Sequence, residues 1–282
     1  MKKLLLLFMA CTTMTSVQAQ IETPQPSPTA KLEQKVGLTD VTIAYSRPGV
    51  KGRKIFGGLV PYGELWRTGA NKNTTITFST AATIDGQTLQ AGTYAIFTKP
   101  GKEMWEVYFY TDTENWGTPR DWDDSKVAAK TTVKSYPVPF NVETYAMDIN
   151  NITNSGGTLE FIWEKTYVAV PFTLPTDNAV LKSINSVMGG PSVNDYFSAA
   201  VYYLQENKDI KKAKMWIDKA VEMTKDKPRF WVLRQQSLIH AKAGAKDTAI
   251  AAAKKSLELA EKAGNKGYVK MNTDSLKEWG AM

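Results

Sequence analysis

The spacing of apolar residues changes once along this chain, and each half of the pattern admits few folds. From Lys31 to Pro175 the sequence runs in short stretches rich in Val, Ile, Thr and aromatics: VTIAY (41–45), TTITFS (74–79), AATI (81–84), GTYAIFT (92–98), EMWEVYFYT (103–111), ETYAMDI (143–149), TLEFIWE (158–164) and YVAVPFTL (167–174). β-Branched and aromatic residues suit the pleated surface of a strand, and the stretches that alternate polar with apolar bury one face. After Gly189-Gly190-Pro191 the apolar residues recur three and four apart, which gathers them on one side of an α-helix.

The connections between the first stretches predict antiparallel pairing. Asp85-Gly86 is a two-residue hairpin turn, KPGK (99–102) joins two strand runs, and NSGG (154–157) joins two more. No amphipathic helix of useful length interrupts the series, so a parallel sheet of β-α-β units is excluded. The expected architecture is an antiparallel β-sandwich, jelly-roll-like, over residues 31–175, then a linker at 176–192 and a small helical domain at 193–282.

In that helical part Tyr196, Ala199, Ala200, Tyr203 and Leu204 share one face, as do Ala213, Trp216, Ile217, Ala220 and Val221, and the short ENKD between them makes an antiparallel pair. Aligning AKMWIDKAVEM from Ala213 with AIAAAKKSLEL from Ala249 gives a repeat of 36 residues, which resembles tetratricopeptide repeats. Such helical pairs serve either as a packed appendage or as a groove for a protein or peptide partner. Two pairs seldom stand alone, so they are expected to lean on the β domain, on the tail YVKMNTDSLKEW (268–279), or on both.

The N-terminus predicts export. Lys2 and Lys3 precede an apolar run from Leu4 to Ala10, and Val17 and Ala19 stand where signal peptidase expects small residues, placing cleavage after Ala19. The product is periplasmic or secreted; the alternative is a lipid anchor on Cys11, the sole cysteine. Cleavage after Ala19 leaves no thiol for a disulfide, so stability must come from packing. The proline-rich segment 20–30 is a flexible leader, and no later run is apolar enough for a transmembrane helix.

The formal charge of +7 belongs to one end of the chain. Residues 20–190 hold 16 Lys and Arg against 17 Asp and Glu, whereas residues 191–282 hold 17 against 11. Lysines spread along helices form a solvated face, and an exported chain seldom meets nucleic acid, so no nucleic-acid partner is expected.

Chemistry is narrowed by what the β region lacks. His240, the only histidine, lies in the helical part, so Ser-His-Asp and Cys-His catalysis and His- or thiolate-bound metals are excluded from the β region. GRKIFGG (52–58) is followed by no Lys-Ser or Lys-Thr pair, and neither a dinucleotide glycine motif nor a nucleophile elbow is present. No metal and no cofactor is expected. Asp121, Asp123 and Asp124 form the densest acidic cluster, without calcium-loop spacing.

The stretch Ser46–Thr74, SRPGVKGRKIFGGLVPYGELWRTGANKNT, stands apart from its strand-like flanks. Six cations, Arg47, Lys51, Arg53, Lys54, Arg67 and Lys72, fall within 26 residues and only Glu64 opposes them. With IDGQTLQAGTYAIFTKPGKEMWEVYFY, the Trp116-Gly117 pair and FIWEKTYVAVPF, the stretch resembles an exported bacterial family known as domain of unknown function 2911, over about residues 30–175. That resemblance implies an envelope-associated β domain, sometimes followed by tetratricopeptide-like helices, and brings no catalytic residue with it.

Physically, the stretch offers an anion-binding or polar surface. Arg47, Lys51, Arg53, Tyr62, Trp66, Arg67 and Asn71 are the candidate ligand residues: Tyr62 and Trp66 can stack on a sugar ring, and Arg67 and Asn71 bracket a turn that presents a fork of donors beside an amide. The competing structural role has the apolar members plugging one end of the sandwich. The sequence thus points to a non-catalytic binding or scaffold protein, its β domain taking a polar or anionic ligand such as a glycan and its helices a protein. The alternative is a carboxylate-dependent hydrolase of envelope carbohydrate using Asp121, Asp123 or Glu64.

Overall fold

The computed structural model describes residues 23–282; the expected signal segment 1–19, Cys11 and the first leader residues lie outside the described residues. The chain divides into a β unit ending at Thr176 and a helical unit from Asp177 to Met282.

The β unit is one antiparallel sheet. Its strands are β1 (Thr29–Val36), β2 (Thr39–Ser46), β3 (Thr75–Phe78), β4 (Ala82–Ile84), β5 (Gln87–Leu89), β6 (Gly92–Pro100), β7 (Met104–Tyr110), β8 (Val127–Thr153) and β9 (Gly156–Thr173). They lie in the order β1-β2-β3-β6-β7-β8-β9-β4-β5. Most neighbours in the sheet are neighbours in sequence, a meander interrupted by the β4–β5 hairpin, which pairs with β9 through Thr83 and Thr173. The hairpin turns where the sequence expects it: Asp85 and Gly86 both hold positive φ, 48° and 75°, as a two-residue turn of this hand requires.

The second layer comes from bending that sheet. β8 runs for 27 residues and pairs first with β7, from Val127 to Lys134, then with β9, from Ser135 to Thr153. Its register shifts between Pro137 and Val142 and again before Ala146. Pro137 and Pro139 have no N–H to give the ladder, so regular pairing lapses and the strand turns there. The later half of β8 comes to face β2: the Tyr45 hydroxyl donates to Met147 O at 3.3 Å and accepts from Met147 N at 3.0 Å. Between the layers lie Val41 and Ile43 of β2, Met147 and Ile149 of β8, and Phe161 and Val170 of β9, all buried.

The sequence reading omits two pieces of this sheet. β1 alternates Lys31, Glu33 and Lys35 outward with Ala30 and Leu32 against the core, and it starts at Thr29, inside the segment expected to be leader. The first half of β8 carries lysines and prolines that mask its strand character. The turn between β1 and β2 rests on Gly37, whose φ is +56°; a Cβ there would lie 2.1 Å from Asn154 O and 2.4 Å from Thr176 Oγ1.

The helical unit begins earlier than its sequence pattern suggests. The segment expected as a linker contains α1 (Thr176–Val187), because Leu181, Ile184 and Met188 give it an apolar side that packs on the helical core. Then follow α2 (Val193–Gln205), α3 (Ile210–Met223), α4 (Phe230–Lys242), α5 (Lys246–Lys262) and α6 (Lys266–Glu278). Ser192 and Asp195 form a reciprocal capping box on α2. The 36-residue repeat places buried on buried: Ala213 on Ala249, Trp216 on Ala252, Ile217 on Ala253 and Ala220 on Ser256. The tail is α6, whose Leu276 packs with Ala253 and Leu257, while Asn272 Nδ2 donates to Ser256 Oγ at 2.9 Å. His240 is buried on α4 with its Nε2 2.7 Å from Asp218 Oδ1 on α3.

Gly37→Ala is expected to destabilise the β unit by about 1–3 kcal/mol, because the new Cβ would collide with backbone at a φ that side chains avoid; an unchanged urea midpoint would refute this. Asp218 supplies a second test. Burial pushes its carboxyl up, but hydrogen bonds from Gln236, His240 and Lys214 bring it below its ordinary value. A depressed folded value stabilises the unit above the unfolded carboxylate range, near pH 4, and that contribution is lost as pH falls through the folded value. Helical melting followed at 222 nm should therefore weaken less on acidification in Asp218→Asn than in the parent chain.

Candidate functional site

Between β2 and β3 the chain leaves the sheet from Arg47 to Thr74, yet it is pinned along its length. Gly49 bridges Thr144, and Val50 N donates to Glu143 O at 2.7 Å. Trp66 pairs with Thr98 on β6, each N–H reaching the other's carbonyl at 2.7 and 2.9 Å. Successive residues of an extended segment point opposite ways, and Leu65 and Trp66 do so. Leu65 packs outside with Phe97, Tyr108, Tyr110 and Trp122, while Trp66 packs against the core.

The inward side of the excursion joins an aromatic cluster. Trp66 stacks on Trp163 of β9 with centroids 5.9 Å apart and planes at 17°, and meets Phe56, Trp105 and Tyr145 edge-on. Offset and edge-on ring pairs each add about 0.5–1.5 kcal/mol beyond the area they bury. Burial pushes the Tyr145 hydroxyl well above the ordinary phenol range.

The segment Arg67-Thr68-Gly69-Ala70-Asn71 is folded tightly. Thr68 and Asn71 hold positive φ of 56° and 59°. For a β-branched threonine that conformation is strained, and it persists only where the surroundings hold it. Here Thr74 Oγ1 donates to Thr68 O at 2.7 Å and Thr68 Oγ1 donates to Thr98 Oγ1 at 3.2 Å. Asn71 Nδ2 donates to Ser27 O at 3.1 Å and Ser46 Oγ at 3.3 Å, tying the leader to the end of β2.

Beside this turn lies a cavity of about 450 Å³. The excursion supplies Pro48, Arg53, Leu59, Val60, Pro61, Glu64 and the run Leu65–Arg67, with Gly69, Ala70 and Asn71; Ser27, Thr118 and Trp163 complete the wall. Four of the seven candidate residues, Arg53, Trp66, Arg67 and Asn71, therefore converge. The other three do not line it. Arg47 Nε donates to Tyr145 O at 3.0 Å and its backbone N–H to Pro28 O, which fixes the strand end. Lys51 is an exposed turn residue at φ 48° whose N–H reaches Glu143 Oε1. Tyr62 is exposed and lays its ring over Gly57, where a Cβ would approach to 2.4 Å.

The two arginines in the wall differ. Arg53 is exposed, and its Nε and Nη2 donate to Val50 O and Gly49 O at 3.0 and 2.6 Å. Arg67 is partly buried, with a fully buried Nε that has no hydrogen-bond partner. Its guanidinium forms no ion pair among the described residues; the cations that do are lysines and His240. Gly117 stands over it, and a Cβ on that residue would be 3.3 Å from Arg67 Nη1. Leaving a charge partly desolvated without a counter-charge is costly.

The acids expected for hydrolysis have different local surroundings. Asp123 caps a single 3₁₀ turn, and hydrogen bonds from the Ser125 hydroxyl and N–H hold its carboxyl below its ordinary value. Asp124 accepts from Trp122 Nε1 at 2.8 Å, and Asp121 is exposed. Glu64 is the carboxylate in the cavity wall. Among the described residues no group of three or more His, Cys, Asp or Glu is placed to hold a metal ion, and no helix is long and apolar enough to cross a membrane. The sequence reading misses Ser27, Thr118 and Trp163 as wall residues. Trp163 reads as a strand aromatic, and the Trp116-Gly117 pair that leads into Thr118 is the one local signal.

Residues 27–172 match the sequence profile described as Protein of unknown function (DUF2911). No curated protein and no solved structure matches the chain.

Asn71→Ala removes both side-chain bonds at a left-handed position, and a loss of about 1–2 kcal/mol is expected. Asn71→Gly keeps the backbone conformation but not the bonds, so both variants should be cut faster at residues 23–28 in limited proteolysis read by mass spectrometry. Unchanged cutting would mean that Asn71 does not hold the leader.

Proposed function

We propose that this chain, which belongs to the DUF2911 family, is a non-catalytic binding protein whose β unit takes up a polar or anionic small molecule in the cavity beside Arg67. The observation that carries the reading is the Arg67 guanidinium: partly buried, lining a cavity, its Nε sealed from solvent, and unpaired among the described residues. Stacked aromatics in the wall, a strained turn and a second cation at the rim support it. Loops with such polar content, fixed on a rigid sheet, are where ligand sites concentrate.

The reading extends to a protein partner for the helical unit. The repeat of 36 residues, its likeness to tetratricopeptide hairpins, and a hollow lined by Met188, Tyr196, Met215 and Trp216 support that part. Export to the periplasm or beyond is proposed on the signal-like sequence ending at Ala19, with lipid attachment at Cys11 as the alternative form.

Arg67→Met keeps the aliphatic stem and removes the charge. If the arginine serves a ligand, the variant should be at least as stable as the parent without ligand, since an uncompensated charge is gone. In a thermal-shift screen of small anions and neutral polyols, the parent should be stabilised by an anion and the variant should not. A strong loss of stability in Arg67→Met, with no anion stabilising the parent, would assign Arg67 to the fold instead.

A further inference from the structure

We infer that the ligand of the Arg67 cavity is a sugar ring bearing a carboxylate; this rests on the anion-binding reading and narrows it. The charges in the wall decide between kinds of anion. One guanidinium is partly buried, the second is exposed and already donates to Val50 O and Gly49 O, and Glu64 adds a negative charge to the same wall. A phosphate dianion needs several cations or a cradle of amides at a helix N-terminus. No wall residue belongs to a helix, and Glu64 would repel the second negative charge. A monoanionic carboxylate is matched by a single planar pair of N–H groups, and on Arg67, whose Nε is sealed, that pair is Nη1 and Nη2, which have no hydrogen-bond partner among the described residues.

The rest of the wall asks for more than a carboxylate. At about 450 Å³ the cavity falls in the range that encloses small organic ligands and far exceeds the needs of acetate. Trp66, Leu59 and Pro61 offer apolar surface for C–H groups, with Trp163 buried behind Trp66, while Glu64, Thr118 and the Asn71 Oδ1 offer hydrogen-bonding partners for hydroxyls. A pyranose has both surfaces: axial C–H bonds that pack on rings and an equatorial belt of hydroxyls that hydrogen-bonds. Gly117 matters here as a side chain that is absent. A Cβ there would lie 3.3 Å from Arg67 Nη1, so any side chain would crowd the guanidinium.

The carboxylate could sit on the ring itself or on a lactyl arm, and the test separates the two. Isothermal titration of the full chain would compare D-glucuronate, N-acetylmuramate, D-glucose, D-glucose 6-phosphate and acetate, with Trp66 and Trp163 fluorescence as a second readout. One or both carboxylated sugars should saturate, with glucose, acetate and glucose 6-phosphate each at least ~tenfold weaker. Which of the two binds places the carboxylate. Arg67→Lys, which keeps the charge but not the fork, should also lose about tenfold, with folding checked by circular dichroism.

Tighter binding of glucose 6-phosphate, abolished in Arg67→Met, would overturn the carboxylate assignment and leave the anion site standing. Equal binding of glucose and glucuronate would overturn the assignment too. No heat and no fluorescence change with either carboxylated sugar would end this inference, and the anion-binding reading would fall with it only if the broad anion screen were also blank.

Discussion

Two prolines in one long strand set the architecture of the β unit. Pro137 and Pro139 cannot donate to the ladder, so β8 cannot pair regularly along its whole length. Its start, Val127–Lys134, serves β7 and the longer remainder from Ser135 serves β9, where the register lapses between Pro137 and Val142. The bend there creates a buried layer, closed by the Tyr45 hydroxyl on the backbone of Met147. The aromatic cluster under the excursion depends on the same bend, since Tyr145 belongs to the returning half of β8 and Trp163 to its partner strand. The cavity is therefore a feature of the folded sheet's end, roofed by the one long connection between β2 and β3.

Within that connection the cations have unlike fates. Arg47 and Arg53 reach backbone carbonyls, which stabilises turns that have lost ladder bonds. Arg67 reaches none, although Tyr62, Trp66 and the turn around Thr68 are all engaged within the fold. A chain stabilised only by packing would gain by replacing it with an apolar residue of similar shape. On the proposed reading, an anion bound at Arg67 would offset that cost.

Much of this was legible in the sequence, and the misses have physical causes. The strand runs with clean alternation, such as VTIAY and TLEFIWE, and the Asp85-Gly86 turn are local signals and appear where expected. β1 is an edge strand whose outer face is charged, and the first half of β8 mixes lysine and proline with valine, so neither shows a strong period. α1 was hidden because its apolar side is only three residues wide. For the cavity, the sequence named the right stretch but could not tell which cations point inward. Arg47 and Arg67 look alike as letters; the register of Trp66 against Thr98 separates them, and that pairing spans more than thirty residues of chain. Ser27, Thr118 and Trp163 come from three distant segments, which no local pattern can unite.

The close approach at Gly37 bears on the order in which this chain is made. Its turn joins the first two strands of the β unit, yet it is sealed by Asn154 O and by Thr176, 117 and 139 residues later in the chain. Contacts so far apart in sequence close slowly and late. A folding chain can form the local β1–β2 hairpin early, but its turn stays uncovered until the end of the β unit is in place. Thr176 is also where α1 begins, so completing the sheet and starting the first helix fall to the same residue.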